Sequence, residues 1–343
     1  MESNTSNYEY PISKIDHSQV IRRIYTDSNR LLFEILKDGK TAIFKPTLNL
    51  RMKSVDIAKG KETCSQYGEF IAHMMLKKMG IQSCKVEMVT RHIVNPRSKS
   101  RKGNDVPGAI SYYELRPGEI LIPASTAILR YLDQYNNMSG TFNSNNIETV
   151  IAAFMYYANK YGNASEDEKK KIKQSIIEMT MFDCRCANRD RHDENYGLAL
   201  KDGTVRFYPL FDNEYILGFS ETTTEMEKNM QTAFGMQEHI SRDLWSVMSA
   251  AEKQTNVSSS SMLAHLFAKY PDESRKAYEK IMSVSEADLD EIMNECENLP
   301  DRRKEYAMKI FRIREQELKM IYNEYIGIPT EKPTISEAIE EKW

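Results

Sequence analysis

No apolar run in this 343-residue chain approaches the roughly 20 residues that a membrane-spanning helix needs. The first residues, Met1-Glu2-Ser3-Asn4-Thr5-Ser6-Asn7, lack the basic and apolar regions of a secretory signal, so export is not expected. Cysteine is sparse: Cys64, Cys84, Cys184, Cys186 and Cys296 make an odd set of 5 with no Cys-x-x-Cys spacing. That argues against a disulfide framework and fits reduced thiols. Cys184 and Cys186 are two apart on an expected helix, so they face different directions and make no metal pair. The net charge is −3 with both signs dispersed, which implies no nucleic-acid partner. The chain also shows no internal repeat. What remains is a cytoplasmic chain long enough for two lobes and a sizeable core.

The most informative stretch is Asn188-Arg189-Asp190-Arg191-His192-Asp193-Glu194-Asn195-Tyr196-Gly197, followed by Leu210-Phe211-Asp212-Asn213. Residues 198–208 between them read as two short strands around Asp202-Gly203. Such a hairpin returns the chain so that Asp212 lands beside Asn195. An Asp, an Asn and a second Asp so grouped form the set that phosphoryl transfer from ATP requires. Asp190 would orient the acceptor hydroxyl and take its proton, while Asn195 and Asp212 would hold magnesium. A charged surface loop is the plainer alternative, and the hairpin spacer and second acidic position weigh against it.

The upstream half supplies matching partners. Residues 31–36 and 41–46 read as strands around Asp38-Gly39, and Lys45 ends the second strand where an ammonium could reach nucleotide phosphates. Residues 67–80 carry apolar groups at helical spacing with Gly80 as a stop; Glu69 is expected in the first turn, paired with Lys45.

Taken together, these segments resemble the HipA-like serine/threonine kinases, in size the compact CtkA-type members. The resemblance rests on Phe44-Lys45-Pro46, Tyr67-Gly68-Glu69, Asn188-Arg189-Asp190-Arg191-His192 with Asn195 and Gly197, and Pro209-Leu210-Phe211-Asp212; it spans residues 20–220. It implies an α+β, two-lobed protein-kinase-like fold. A β-rich N-lobe with one key helix would occupy 1–115, a mostly helical C-lobe 116–328, and a loosely ordered tail 329–343. It further implies ATP and Mg2+ as cofactors, a protein substrate offering a serine or threonine hydroxyl, and autophosphorylation as an option. Asp190 would be the catalytic aspartate, Asn195 and Asp212 the magnesium ligands, and Lys45 the phosphate contact with Glu69 as partner. One departure stands out: Tyr25-Thr26-Asp27-Ser28-Asn29-Arg30 holds no glycine, so phosphate cover falls to other groups, such as the polar run 53–63.

In such a fold the strand before the inter-lobe connector serves the adenine edge. Residues 106–115 read as a strand leaving a Pro107-Gly108 turn and running into Arg116-Pro117-Gly118. The hinge is therefore expected at Tyr112, Tyr113, Glu114 and Leu115, with Tyr112 or Tyr113 against the purine; ordinary strand tyrosines are the alternative. The basic stretch 95–105 reads as a solvated hairpin tip. Beyond the hinge, helices are expected at 146–158, from a Ser165/Glu168 capping box towards the catalytic loop, and at 258–269, 272–282, 286–298 and 302–325. Residues 220–226 read as a mobile loop whose hydroxyls are candidate phosphorylation sites. His192 is read as orienting the catalytic loop through backbone contacts. Arg191 would either steady phosphate charge or, more simply, pair with Asp193 or Glu194 at the surface. The same catalytic set also occurs in phosphoinositide kinases, which keeps a lipid-headgroup or small-alcohol acceptor open. A kinase-like fold used only for binding is disfavoured, because all five core positions hold the required residue types.

Overall fold

Two-residue turns frame both halves of the molecule. The computed structural model describes residues 14–15, 20–25, 31–37, 39–46, 63–93, 104–134, 146–232, 236, 245–248 and 254–327. The glycine-free stretch 26–30, the polar run 53–62, the basic stretch 95–103 and the tail 329–343 lie outside these described residues.

Strands β3 (Leu31–Lys37) and β4 (Lys40–Pro46) pair antiparallel from Lys37↔Lys40 outward. Gly39 between them takes φ 74°, a left-handed conformation open to glycine without steric cost. With β1 (Lys14–Ile15), β2 (Val20–Tyr25), β5 (Val86–Ile93) and β6 (Asn104–Tyr112) they form a six-stranded sheet of order β1-β5-β6-β4-β3-β2. Helix α1 (Ser65–Lys78) packs across β5 and β6, burying Ile71, Ala72, Met75 and Leu76. The opposite sheet face has its own apolar cluster of Phe33, Ile35, Ala42, Phe44, Val89, Ile110 and Tyr112. Alternation along β4 thus sends Phe44 to that cluster and Lys45 towards α1.

Pro107-Gly108 is not a turn, as the sequence suggested, but lies within β6. Gly108 pairs with Val89 on one side and Pro46 on the other. A Cβ there would meet the Lys45 carbonyl and the Phe44 ring, so glycine serves close strand approach. Pro107 pairs with Thr90 of β5, while β4 has already ended at Pro46.

The chain then becomes mostly helical. A three-stranded sheet of β7 (Ile120–Pro123), β8 (Gly197–Lys201) and β9 (Thr204–Phe207) has its hairpin at Asp202 and Gly203, both left-handed with φ 47° and 77°. Around it stand α2 (Ala124–Gln134), α3 (Ile147–Gly162) and α4 (Glu166–Cys186). The expected capping box starts α4: the Ser165 hydroxyl accepts from the Glu168 N–H, and the Ser165 N–H donates to the Glu168 carboxylate at 2.8 Å. The helix buries Ile172, Ile176, Ile177, Met179 and Phe182 and ends at Ala187 with φ 50°. That cap hands the chain directly to residues 188–195.

Two expectations fail locally. Residues 220–226 are not a loop but contain the start of α5 (Thr223–Asn229), because Thr222 and Glu225 complete another capping box. Helices α6 (Ser259–Lys269), α7 (Pro271–Met282), α8 (Glu286–Asn294) and α9 (Asp301–Tyr325) match the expected tail, except that α8 stops before 298. Asn298 is left-handed at φ 61° and Pro300 precedes α9, which prevents one helix from running on. A short hairpin, β10 (Ser246–Met248) with β11 (Gln254–Asn256), completes the described α+β architecture. No helix of the described residues is long and apolar enough to cross a membrane.

Candidate active site

Lys45, 6% exposed at the end of β4, is where the molecule's distant segments meet. It donates to Glu69 Oε2 of α1 at 3.0 Å and to Asp212 Oδ1, partners 24 and 167 residues away. Glu69 lies in the second turn rather than the first, because α1 begins at Ser65. Gly68 permits the approach: a Cβ there would stand 2.6 Å from the Glu214 carbonyl oxygen and 3.0 Å from Phe219 Cβ. The segment carrying Asp212 is held beneath α1 by a short ladder. Leu210 N–H donates to Gln82 O at 3.0 Å, and Cys84 N–H to Leu210 O at 2.8 Å.

Glu214, which the sequence reading passed over, completes a group with Glu69 and Asp212 whose ligand atoms all lie within 4.8 Å of one another. Its sequence signal was its place two residues beyond Asp212. Burial opposes the charge on Lys45, but Asp212, Glu69 and Glu214 outweigh it and hold the ammonium above the usual lysine range. Burial pushes Glu69 up; Lys45 opposes this, and Asp212 and Glu214 reinforce it. Three carboxylates therefore share one ammonium, and the surplus negative charge suits a hard cation. Glu69 Oε1 is buried with no hydrogen-bond partner, and the clustered carboxylate oxygens are the donor type that magnesium takes.

Residues 188–195 wrap Asp190 in backbone bonds. Its N–H donates to Asn188 Oδ1 at 3.3 Å, and its carbonyl accepts from Asn195 Nδ2 at 2.7 Å. The amide nitrogen of Asn195 is thus committed within the loop. Burial raises the Asp190 carboxyl above the ordinary range; His192 opposes the rise, and Asp212 and Glu214 add to it. Gly197 lets β8 press against β7, since a Cβ would meet the Ile122 carbonyl. His192 is exposed, and its Nδ1 accepts from the Glu194 N–H at 3.3 Å, a backbone contact as expected.

Arg191 is not a surface partner of Asp193 or Glu194. Its side chain is fully buried and meets both oxygens of Asp183 at 3.0 Å. The outward reading failed because the guanidinium turns inward, to Asp183 at the end of α4 and to Phe211 and Asn213 after β9. Arg189, by contrast, turns to Glu221 at 2.7 Å, whose other oxygen accepts from Tyr306 and Asn229.

The expected adenine hinge is only partly available. Tyr112 pairs with Ala42, so its ring joins the Phe44 face, opposite Lys45, and its hydroxyl donates to Glu87 at 2.8 Å. It is therefore not a purine contact on the Lys45 side. Glu114 N–H donates to the Tyr208 hydroxyl at 2.8 Å, and Glu114 O accepts from Arg206 at 3.0 Å, so both backbone groups are engaged internally. Tyr113 N–H donates to Thr41 O, and Leu115 packs on Cys84, Ala199 and Tyr208.

No protein-family model matches the sequence, and no curated protein matches it. Solved structures do resemble the fold. The Helicobacter pylori proinflammatory kinase CtkA superposes with a TM-score of 0.66 at 12% identity, over 92% of this chain and 98% of that one. HipA of Shewanella oneidensis, solved with HipB and operator DNA, gives 0.46 at 12% identity over 93% and 66%. Hydra Fam20 gives 0.43 at 10% identity over 89% and 86%. The chain has a kinase-like fold, and the resemblance read from its sequence is met at the level of fold by CtkA.

Proposed function

We propose that this protein is an ATP- and magnesium-dependent kinase that transfers the γ-phosphate to a serine or threonine hydroxyl of a protein. The observation that carries the reading is the bridge of Lys45 to both Glu69 and Asp212. Three stretches of chain meet directly at Lys45, and Arg191 ties the loop of Asp190 and Asn195 to the Asp212 segment, which supports a phosphoryl-transfer reading.

In this reading Lys45 gives its ammonium to the phosphates, and Glu69 restricts the rotamers from which it does so. Asp212, with Asn195 and the neighbouring Glu214, would hold magnesium; a bound magnesium ion would supply charge neutralisation of the phosphates. Asp190 accepts a hydrogen bond from the acceptor hydroxyl, aligns its oxygen with the γ-phosphorus and takes the proton as the new O–P bond forms and the P–O bond to the leaving ADP breaks. Its raised pKa suits proton acceptance better than an ordinary aspartate would. Tyr113 and Leu115 are proposed to line the adenine end of the cleft. The preference for a protein acceptor rests on the HipA-like resemblance of the sequence.

The test is a transfer assay with labelled ATP and magnesium, offering the protein itself, generic protein substrates and phosphoinositides in parallel. Label on serine or threonine that disappears in Asp190→Asn is the expected result. Label only in lipid would reassign the acceptor, and no transfer to any of them would defeat the proposal.

A further inference from the structure

Arg191 uses every donor it has. Its guanidinium carries five N–H groups. Nε and one Nη2 hydrogen go to Asp183, at 3.0 Å each, and the other Nη2 hydrogen goes to Asn213 Oδ1. The two Nη1 hydrogens go to the carbonyls of Asn195 and Phe211, both at 3.0 Å. The chain neighbours on both sides of Asp212 are therefore held by one planar group, which also holds the backbone of Asn195.

Asp212 itself sits at φ 55°, in the left-handed region that side-chain-bearing residues seldom occupy unless their surroundings impose it. The anchor is rigid: Asp183 is 2% exposed near the end of α4, and its Oδ1 also accepts from Asn188 at 2.8 Å.

We infer that Arg191 is a positioning residue: it fixes Asp212 in its left-handed conformation and in register with Asn195, acting through the chain and touching neither nucleotide nor metal. The inference rests on the kinase reading above, in which Asp212 and Asn195 hold magnesium. Lysine could not substitute, because a point ammonium with three donors cannot span carbonyls, amide and carboxylate in one plane.

The experiment measures ATP binding by calorimetry across a magnesium titration, with thermal unfolding alongside, for the full-length wild type, Asn213→Ala and Arg191→Lys. Asn213→Ala removes one arm and leaves the Arg191–Asp183 pair intact, so it keeps the test decisive if Arg191→Lys fails to fold. Asn213→Ala is expected to raise the magnesium concentration at half-saturation about tenfold, and Arg191→Lys up to about 100-fold. Binding of ATP without magnesium should stay at the wild-type level in both. A folded Asn213→Ala protein with wild-type magnesium dependence overturns the inference. So does a loss that is equal with and without magnesium, since a purely architectural role would give that pattern. A wild type whose ATP binding ignores magnesium defeats the kinase reading, and the inference falls with it.

Discussion

Lys45 and Arg191 are both buried cations held by carboxylates, yet they are built on opposite plans. Arg191 is balanced by Asp183, and its remaining donors end on neutral oxygens. Lys45 faces Glu69, Asp212 and Glu214 together, so its surroundings stay negative after the ammonium is counted. The balanced cluster is complete as it stands, which is what a fixed frame requires. The surplus cluster has room for further positive charge and then for an anionic ligand on top of it. Charge balance thus separates architecture from chemistry better than burial does, since both cations are buried.

The largest effect should come from Asp190, the proposed base. Asp190→Asn keeps shape and hydrogen-bonding reach but cannot take a proton, so kcat should fall by roughly 10²- to 10⁴-fold with ATP binding nearly intact. Because the Asp190 pKa is raised, the base is lost as pH falls through that raised value. In the metal-free wild type the Asp190 carboxyl should accordingly titrate above the ordinary aspartate range, which carboxyl chemical shifts across a pH series check. Wild-type turnover in Asp190→Asn would remove Asp190 from the chemistry.

Breaking the balanced cluster should cost folding instead. Asp183→Asn leaves the Arg191 guanidinium buried without its counter-charge, a loss of about 3–5 kcal/mol in stability. Lys45→Ala should cost much less stability, since Glu69 is already pushed towards its neutral form and can take up a proton. Denaturant titration of the two variants side by side checks the contrast; equal losses would mean that charge balance does not distinguish the clusters.

Within the surplus cluster, the Lys45–Glu69 pair offers a finer test. Lys45→Ala and Glu69→Ala should each depress activity, with Lys45→Ala the more damaging because it also removes the phosphate contact. The double variant should cost little more than the worse single, since one residue's task is to position the other. Steady-state kinetics on the four proteins reads this directly. Full activity in Glu69→Ala would reject the pairing, and additive losses would mean independent roles.

How much of this was legible in the sequence follows from how local each signal is. The Asp-Gly hairpins at 38–39 and 202–203 and the Ser165 box were readable because turn and cap chemistry is decided within four residues. Lys45, Glu69, Asp190, Asn195 and Asp212 were readable as residue types in order; the fold joins Lys45 directly to Glu69 and Asp212, and Arg191 ties the loop of Asp190 and Asn195 to the Asp212 segment. Arg191 was misread because its partners lie on α4 and beyond β9, and nothing local tells an inward guanidinium from an outward one. Tyr112 was misplaced because its face depends on pairing with β4, and taking Pro107-Gly108 as a turn hid that Gly108 already belongs to that pairing. Glu214 was missed because its place two residues beyond Asp212 does not by itself tell that its carboxylate turns to the same site.

The smallest expected effect comes from a third ionic cluster, on the sheet's other face, which tests whether exposure dilutes such arrangements. Glu87 accepts from Lys37 at 2.6 Å, from Lys85 at 2.5 Å and from Tyr112 at 2.8 Å. Partial burial favours its neutral form, but these donors prevail and hold its pKa down to about 2. A depressed carboxyl adds stability that is fully present above the unfolded-state value near 4.5 and is lost as pH falls towards about 2. Glu87→Gln should therefore lower Tm modestly at neutral pH, and the gap to wild type should close as both are acidified through that window. Its side chain is 31% exposed, so the gap should also shrink with added salt, as it would not for the buried Asp183–Arg191 pair. Thermal unfolding at several pH values and two salt concentrations checks both trends. A gap that persists at the lowest pH would mean that Glu87 stabilises the sheet by packing and not by its charge.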